Sequence, residues 1–387
     1  MNTQASSSRS DPRVDALDQA IDRALADKRI VGTVVLVSQH GRPLYQRAAG
    51  YADRESRQAM QIDTLFRYSS LTKPIVTAAL LALAEQSKLA LDQPVSRWLP
   101  DFHPQLGGGD APVITLHQLL NHTAGLSYPF KEPADAPYHR DGVADGIGHS
   151  GDLTLAENVR RIAGAPLSFA PGSAWRYSLA LDVLGAVIEQ ASGETLPQAV
   201  ERLVTGPLRM RDTGFRVVDQ SRLAAAYANT ATQPELMTEG YKIPFGEDAS
   251  LVYSPARAFD PQAFPSGGAG MVGSAPDMLR FLDTIRGGGG TILPPAATAQ
   301  MMRNQTGALL LEEVGPGWSF GYGGAVLVDP AAAQTPQSPG TWRWGGVYGH
   351  SWFVDPQQEL SVVALTNTAL EGIFGQFTLD VRNAVYS

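Results

Sequence analysis

Apolar residues recur at helical spacing close to the start of the chain. Asp11-Pro12 supplies an N-cap and a first-turn proline, and Val14, Leu17, Ile21 and Leu25 fall on one face of the helix that follows. The pattern then changes to that of strands. Residues 31–38 (VGTVVLVS) and 44–49 (LYQRAA) flank the polar turn Gln39-His40-Gly41-Arg42 and predict a β-hairpin. Towards the other end, 340–346, 351–355 and 360–367 predict three more strands, with Asp355-Pro356 punctuating the last pair, and 375–386 a final amphipathic helix. Connections this short imply antiparallel pairing.

Between these β-rich ends the spacing is helical, over 71–86, 115–121, 155–163, 179–192 and 196–204. The expected class is therefore α+β: an antiparallel sheet formed by both chain termini and flanked by helices, with a mainly helical lobe inserted. On this reading residues 1–11 are a flexible tail and 12–387 one catalytic domain, divided into an α/β lobe (about 12–85 and 275–387) and a helical lobe (about 86–274). Residues 220–266, rich in Pro, Gly and polar side chains, read as irregular segments lining an entrance.

Composition narrows the chemistry. The 387 residues include no cysteine, which excludes disulfides, iron–sulfur clusters, cysteine zinc sites and a thiol nucleophile. Covalent chemistry must use oxygen or nitrogen. A formal charge of −8 argues against a generally basic, nucleic-acid-binding surface. Neither a secretory leader nor a membrane-length apolar run is visible, since stretches such as AALLALA at 78–84 fall short of the roughly 20 residues a bilayer needs. The expected location is cytoplasmic, without a membrane partner. The sequence leaves the oligomeric state open.

Three segments carry candidate chemistry. Ser70-Leu-Thr-Lys73 opens an apolar helix, and the i, i+3 spacing puts hydroxyl and amine on one face. In a cleft that desolvates it, Lys73 would lose affinity for its proton and could relay the serine's. The alternative makes Ser70 an N-cap and Lys73 a solvated helix residue. Tyr177 ends the loop Pro171-Gly-Ser-Ala-Trp-Arg-Tyr177-Ser178-Leu179 just before LALDVLGAVIEQA, where a phenol can act as general acid or base or simply pack its ring. Trp344-Gly345-Gly346-Val347-Tyr348-Gly349-His350 lies on a predicted strand. Its paired glycines leave room for a ligand against the backbone, or mark a bulge, and an N–H just beyond them could share an oxyanion hole with that of Ser70.

Together these residues resemble the serine β-lactamase and penicillin-binding-protein superfamily, whose Ser-x-x-Lys, Tyr-x-Asn and Lys-Thr-Gly elements occur in this order. Asp63-Thr-Leu-Phe66, Thr115-Leu-His-Gln-Leu-Leu-Asn-His-Thr-Ala-Gly125 and Gly267-Gly-Ala-Gly-Met-Val-Gly-Ser-Ala-Pro-Asp277 extend the likeness from about residue 12 to the end. Two positions depart from it: Leu179 stands where Asn is usual, and Trp344 where Lys is usual. An indole in place of an ammonium removes the charge that would hold a β-lactam or peptide carboxylate. The combination is similar to bacterial family VIII carboxylesterases, built on the class C β-lactamase fold. The resemblance implies a serine carboxylesterase acting on small, neutral, hydrophobic esters through an acyl-enzyme, with no metal or organic cofactor. It makes Ser70 the nucleophile, gives its proton to Lys73 and Tyr177, and forms the oxyanion hole from the N–H groups of Ser70 and Val347. The expected pocket comprises Trp344, Gly345, Gly346, Leu179 and His350, the last with a structural role as its alternative. Rival readings are an amidase, β-lactamase or acyltransferase of the same superfamily, or a sensor that acylates once and stalls.

Three patterns compete. Gly317-Trp-Ser319-Phe-Gly321, followed by Asp329 and His350, matches a nucleophile elbow, but residues 320–328 read as continuing glycine-rich strand where an elbow needs a helix. Gly268-Ala-Gly270-Met-Val-Gly273 has dinucleotide-fingerprint spacing without a βαβ unit, and leads instead into a helix cap at Ser274. His139 and His149 sit among Asp141, Asp145 and Asp152 in what reads as a solvated acidic loop, not a metal site.

Overall fold

The computed structural model describes residues 11–148, 151–245 and 249–387. Residues 1–10 of the expected tail and His149 of the acidic loop lie outside them. The Pro12–Ala26 helix starts where Asp11 accepts the Arg13 N–H, and it buries Leu17, Ala20, Ile21 and Ala24. The chain then enters an eight-stranded antiparallel sheet, whose spatial order is Trp318–Phe320, Ala325–Leu327, Trp342–Gly346, His350–Asp355, Leu360–Thr366, Gly32–Gln39, Arg42–Asp53 and Gln58–Ala59. The two chain ends meet at its centre, where Thr33 pairs with Thr366 and Val37 with Val362.

Packing on both faces explains the nearly unbroken apolar text of the central strands. Val34, Leu36, Val363 and Leu365 enter the main core with Phe281 of the Ala275–Arg286 helix. Their alternating neighbours Val35, Val37, Val362 and Ala364 face Leu17, Ile21, Phe377 and Val381 of the first and last helices. A sheet covered on both sides loses the polar alternation of a half-exposed one. The first hairpin closes more tightly than its four-residue polar signal suggested. Only His40 and Gly41 lie between the strands, both with positive φ (51° and 71°), as a two-residue turn matched to strand twist demands.

The helical middle is built around Thr72–Glu85, buried on nearly every side, and Ala180–Ser192, which packs against it and ends at left-handed Gly193. Residues 220–266 hold more order than expected: Tyr227–Ala228 pairs with Glu235–Leu236, and Tyr241–Pro244 with Ser250–Tyr253. Strands of two to four residues are too short for a period-2 pattern to register. Residues 320–328 also differ from expectation. They turn back on themselves, so that Ser319 pairs with Val326 and Phe320 with Ala325. The glycines 321, 323 and 324 mark the reversal. No helix among the described residues is long and apolar enough to cross a membrane.

Candidate active site

Ser70 sits in a 3-10 turn, Ser69–Leu71, that runs straight into the Thr72–Glu85 helix. Ser69 adopts φ 44°, a left-handed conformation unfavourable for a side chain other than glycine, and surrounding contacts hold it there. Leu65–Arg67 pairs with Val272–Ser274, the Tyr68 N–H donates to Met271 O (2.9 Å), and the Tyr68 hydroxyl donates to Ser274 O (2.6 Å). The hydroxyl of Ser70, a residue only 7% exposed, caps no helix. One helical turn on, Lys73 Nζ donates to Ser70 Oγ at 3.1 Å and to Gly268 O at 2.7 Å. Lys73 is fully buried, and burial pushes its ammonium well below the ordinary lysine range, against the opposing pull of Asp182.

The phenol of Tyr177 arrives from 107 residues away and donates to the same Ser70 Oγ at 2.7 Å. Its backbone is anchored on both sides. The Arg176 N–H donates to His122 O (3.1 Å), the Ser178 N–H to His122 Nδ1 (3.3 Å) and the Leu179 N–H to Ser127 O (3.1 Å). Its ring lies among those of Tyr128, His122 and Trp344, with centroids 5.0–5.2 Å away. Burial holds the Tyr177 phenol above its ordinary pKa, opposed by the hydrogen bonds to Ser70 and Trp344.

The Trp342–Gly346 strand closes the site. Trp344 is half-buried, edge-on to Phe320, and its indole N–H donates to Tyr177 Oη at 3.2 Å. It was expected only as an apolar wall, yet it is also a donor to the phenol. The glycines serve a purpose other than the one expected. A Cβ on Gly346 would lie 2.5 Å from Tyr68 O and 2.6 Å from Ser69 Oγ, and one on Gly345 would lie 2.7 Å from Ile373 Cγ1. The space is filled by protein, not left for a ligand, and it lets the serine turn press against the strand. Val347 follows directly. Among the described residues neither its N–H nor that of Ser70 has a recorded acceptor, and the Val347 carbonyl accepts from the Tyr253 hydroxyl at 3.1 Å.

Two expected pocket residues are placed differently. Leu179 has no exposed surface and belongs to the main core. His350 is 1% exposed, edge-on to Phe66, with Nε2 2.8 Å from Arg67 O, and burial lowers its pKa to about 4. Both lack the surface a substrate would touch.

Sequence reasoning missed Asp182, Tyr128, Lys131, His122 and Gly268. A Cβ on Gly268 would meet Asp182 Oδ2 at 2.8 Å, and Lys73 Nζ and Tyr128 Oη at 3.3 Å each, so only a glycine fits among these three groups. Asp182 is fully buried, and burial raises its carboxyl pKa against the pull of Lys73. Its signal was legible as the one acidic side chain in the apolar run LALDVLGAVI. Tyr128 and His122 carried no comparable mark.

The competing patterns come apart. Ser319 is 3% exposed in a strand, with Oγ 3.3 Å from Thr306 Oγ1, while Asp329 accepts the N–H groups of Ala331 and Ala332. Residues 268–273 lead into Val272–Ser274, and Ser274 caps the next helix by accepting the Asp277 N–H. No cluster of three or more acidic or histidine side chains suited to a metal occurs among the described residues. The converging groups are one hydroxyl, one amine and one phenol, an arrangement able to activate a serine for covalent catalysis.

Residues 17–377 match the family profile described as Beta-lactamase. Esterase EstB of Burkholderia gladioli is 52% identical over 373 residues, covering 96% of this chain and 94% of that protein. The solved structure described as "EstCE1, a hydrolase with promiscuous acyltransferase activity" is 50% identical, with a TM-score of 0.94 over 97% of this chain and 99% of the other. Lovastatin esterase of Penicillium rubens is 27% identical, over 95% and 96% of the two chains.

Proposed function

From the premise that this chain belongs to the β-lactamase family and is a carboxylic ester hydrolase, we propose that Ser70 is its nucleophile and that its substrates are small, neutral, hydrophobic esters. The observation that carries this reading is the convergence of Lys73 Nζ and Tyr177 Oη on Ser70 Oγ, at 3.1 and 2.7 Å. Burial moves the amine and the phenol in opposite directions, leaving the amine the readier acceptor near neutral pH. Lys73 takes the Ser70 proton as Oγ attacks the ester carbonyl, and the N–H groups of Ser70 and Val347 receive the oxyanion. The alcohol leaves with a proton passed through Tyr177. Water, deprotonated by the same pair, then releases the acid. Because the two groups share protons, kinetics will report apparent pKa values of the pair.

Substrate class follows from the lining. Trp344 and Tyr128 set aromatic rings beside that of Tyr177, with no strand ammonium to hold a carboxylate. The same surroundings favour an organic alcohol as a second acceptor of the acyl group, the activity named for EstCE1. An added primary alcohol should then divert product from acid to ester in water.

The test is fluorophosphonate labelling with mapping of the modified peptide, alongside rates for a short-chain p-nitrophenyl ester and a cephalosporin. Label on Ser70 and preference for the ester are expected. Label elsewhere, or a preferred cephalosporin, overturns the reading. The value of kcat/KM should be low while Lys73 holds its proton and rise with pH through its lowered pKa. Any decline on the alkaline side should wait for the raised pKa of Tyr177.

A further inference from the structure

We propose that Lys131, clasped between the Tyr177 carbonyl and the Glu313 carboxylate, is a positioning residue that holds the phenol over Ser70 and supplies a second positive charge to the proton-handling pair. The inference rests on the roles given above to Ser70, Lys73 and Tyr177.

Lys131 follows Pro129 and Phe130 in a short 3-10 turn. Its Nζ donates to Tyr177 O at 3.1 Å and forms an ion pair with Glu313. The return contact comes from Arg176, whose guanidinium donates to Lys131 O (3.2 Å) and pairs with Glu132 (3.1 Å). Each of two adjacent loops thus holds the other's backbone with a cationic side chain. The clasp fixes the residue that carries the phenol.

Charge adds a second effect. Lys131 Nζ lies 5.2 Å from the centre of the Tyr177 ring, and Lys73 Nζ lies 4.7 Å from it. Two ammonium groups therefore crowd one phenol. A positive charge there favours the phenolate and disfavours protonation of a neighbouring amine. Trp344 contributes an indole from the strand side, so the second cation comes from a loop instead. Burial lowers Lys131 to about 8, while Glu313 works to keep it charged. Glu132 also favours its charged form, Arg176 opposes it, and the further groups inside are Lys73 and the buried His122. An ammonium 11% exposed is costly to desolvate, and packing alone would be served by methionine.

The experiment measures pH profiles of kcat/KM and kcat on a p-nitrophenyl ester for Lys131→Met, Lys131→Arg and Glu313→Gln. Removing the ammonium should raise the midpoint of the acid limb by about half a unit or more, because Lys73 is no longer repelled, and lower kcat by about ten- to a hundredfold through a loosened phenol. Lys131→Arg keeps the charge and should hold the midpoint within about 0.2 units. Glu313→Gln withdraws the carboxylate that keeps Lys131 charged and should move the midpoint upward as well, by less than Lys131→Met does. A purely structural role would lower kcat without moving the midpoint, and a fixed midpoint in both Lys131→Met and Glu313→Gln overturns the proposal. If Lys131→Met does not fold, the direction of the Glu313→Gln shift decides alone. Fluorophosphonate labelling of the unaltered protein separates failure of this proposal from failure of Ser70 as nucleophile.

Discussion

Ser70 and Ser319 are both nearly buried serines in segments that spell a nucleophile motif, and their surroundings differ in kind. Around Ser70 the chain leaves its regular conformation. Ser69 takes a positive φ, and an amine and a phenol from separate elements reach one oxygen. Ser319 sits in a regular strand opposite Val326, and among the described residues the hydrogen-bond partner of its hydroxyl is that of Thr306. Among the described residues no amine or phenol is hydrogen-bonded to it. A motif gains the means of activating its oxygen only when the fold brings proton-handling groups to it.

The sharpest break of this comparison is Ser70→Ala, which should lower ester turnover by at least about 10⁴-fold and abolish fluorophosphonate labelling, with the melting temperature little changed. Tyr177→Phe keeps the ring among its aromatic neighbours and removes one oxygen. A loss of about 10²- to 10⁴-fold in kcat is expected, and a value within threefold of the unaltered protein would make the phenol a packing residue. Trp344→Phe deletes the indole donor to Tyr177 Oη while retaining an aromatic wall. One hydrogen bond of about 0.5–1.5 kcal/mol predicts a two- to tenfold fall, read as kcat on the same ester. The smallest effect should come from Ser319→Ala, with activity within about twofold and less than about 1 kcal/mol lost in denaturant unfolding. A large loss of labelling there would transfer the chemistry to the strand.

Much of the fold was legible because its local signals agree with its tertiary contacts. Asp11-Pro12 does start the first helix, and VGTVVLVS is the strand at the heart of the sheet. Ser70, Lys73, Tyr177 and Trp344 were legible as a motif set, and they meet in space. The glycines at 345 and 346 were read as room for a ligand, but what lies against Gly346 is the Tyr68 carbonyl and the Ser69 hydroxyl, and against Gly345 the His350 carbonyl and Ile373. Leu179 and His350 could not be assigned from the chain, because a motif position does not say which way its side chain points. Lys131 stayed hidden for a related reason, since its partners are remote in sequence, whereas Asp182 left a mark in the apolar run LALDVLGAVI that went unused.

By itself the sequence determined the types of the long elements, the antiparallel pairing of chain ends and the identity of the groups able to activate a serine. Each of those follows from spacing or from side-chain chemistry. The tertiary structure alone decided which buried serine receives an amine and a phenol, how far burial moves their proton affinities, and that an ammonium from a neighbouring loop stands beside them. Distances across a fold and the loss of water around a charge are properties of packing, and no single stretch of chain contains them.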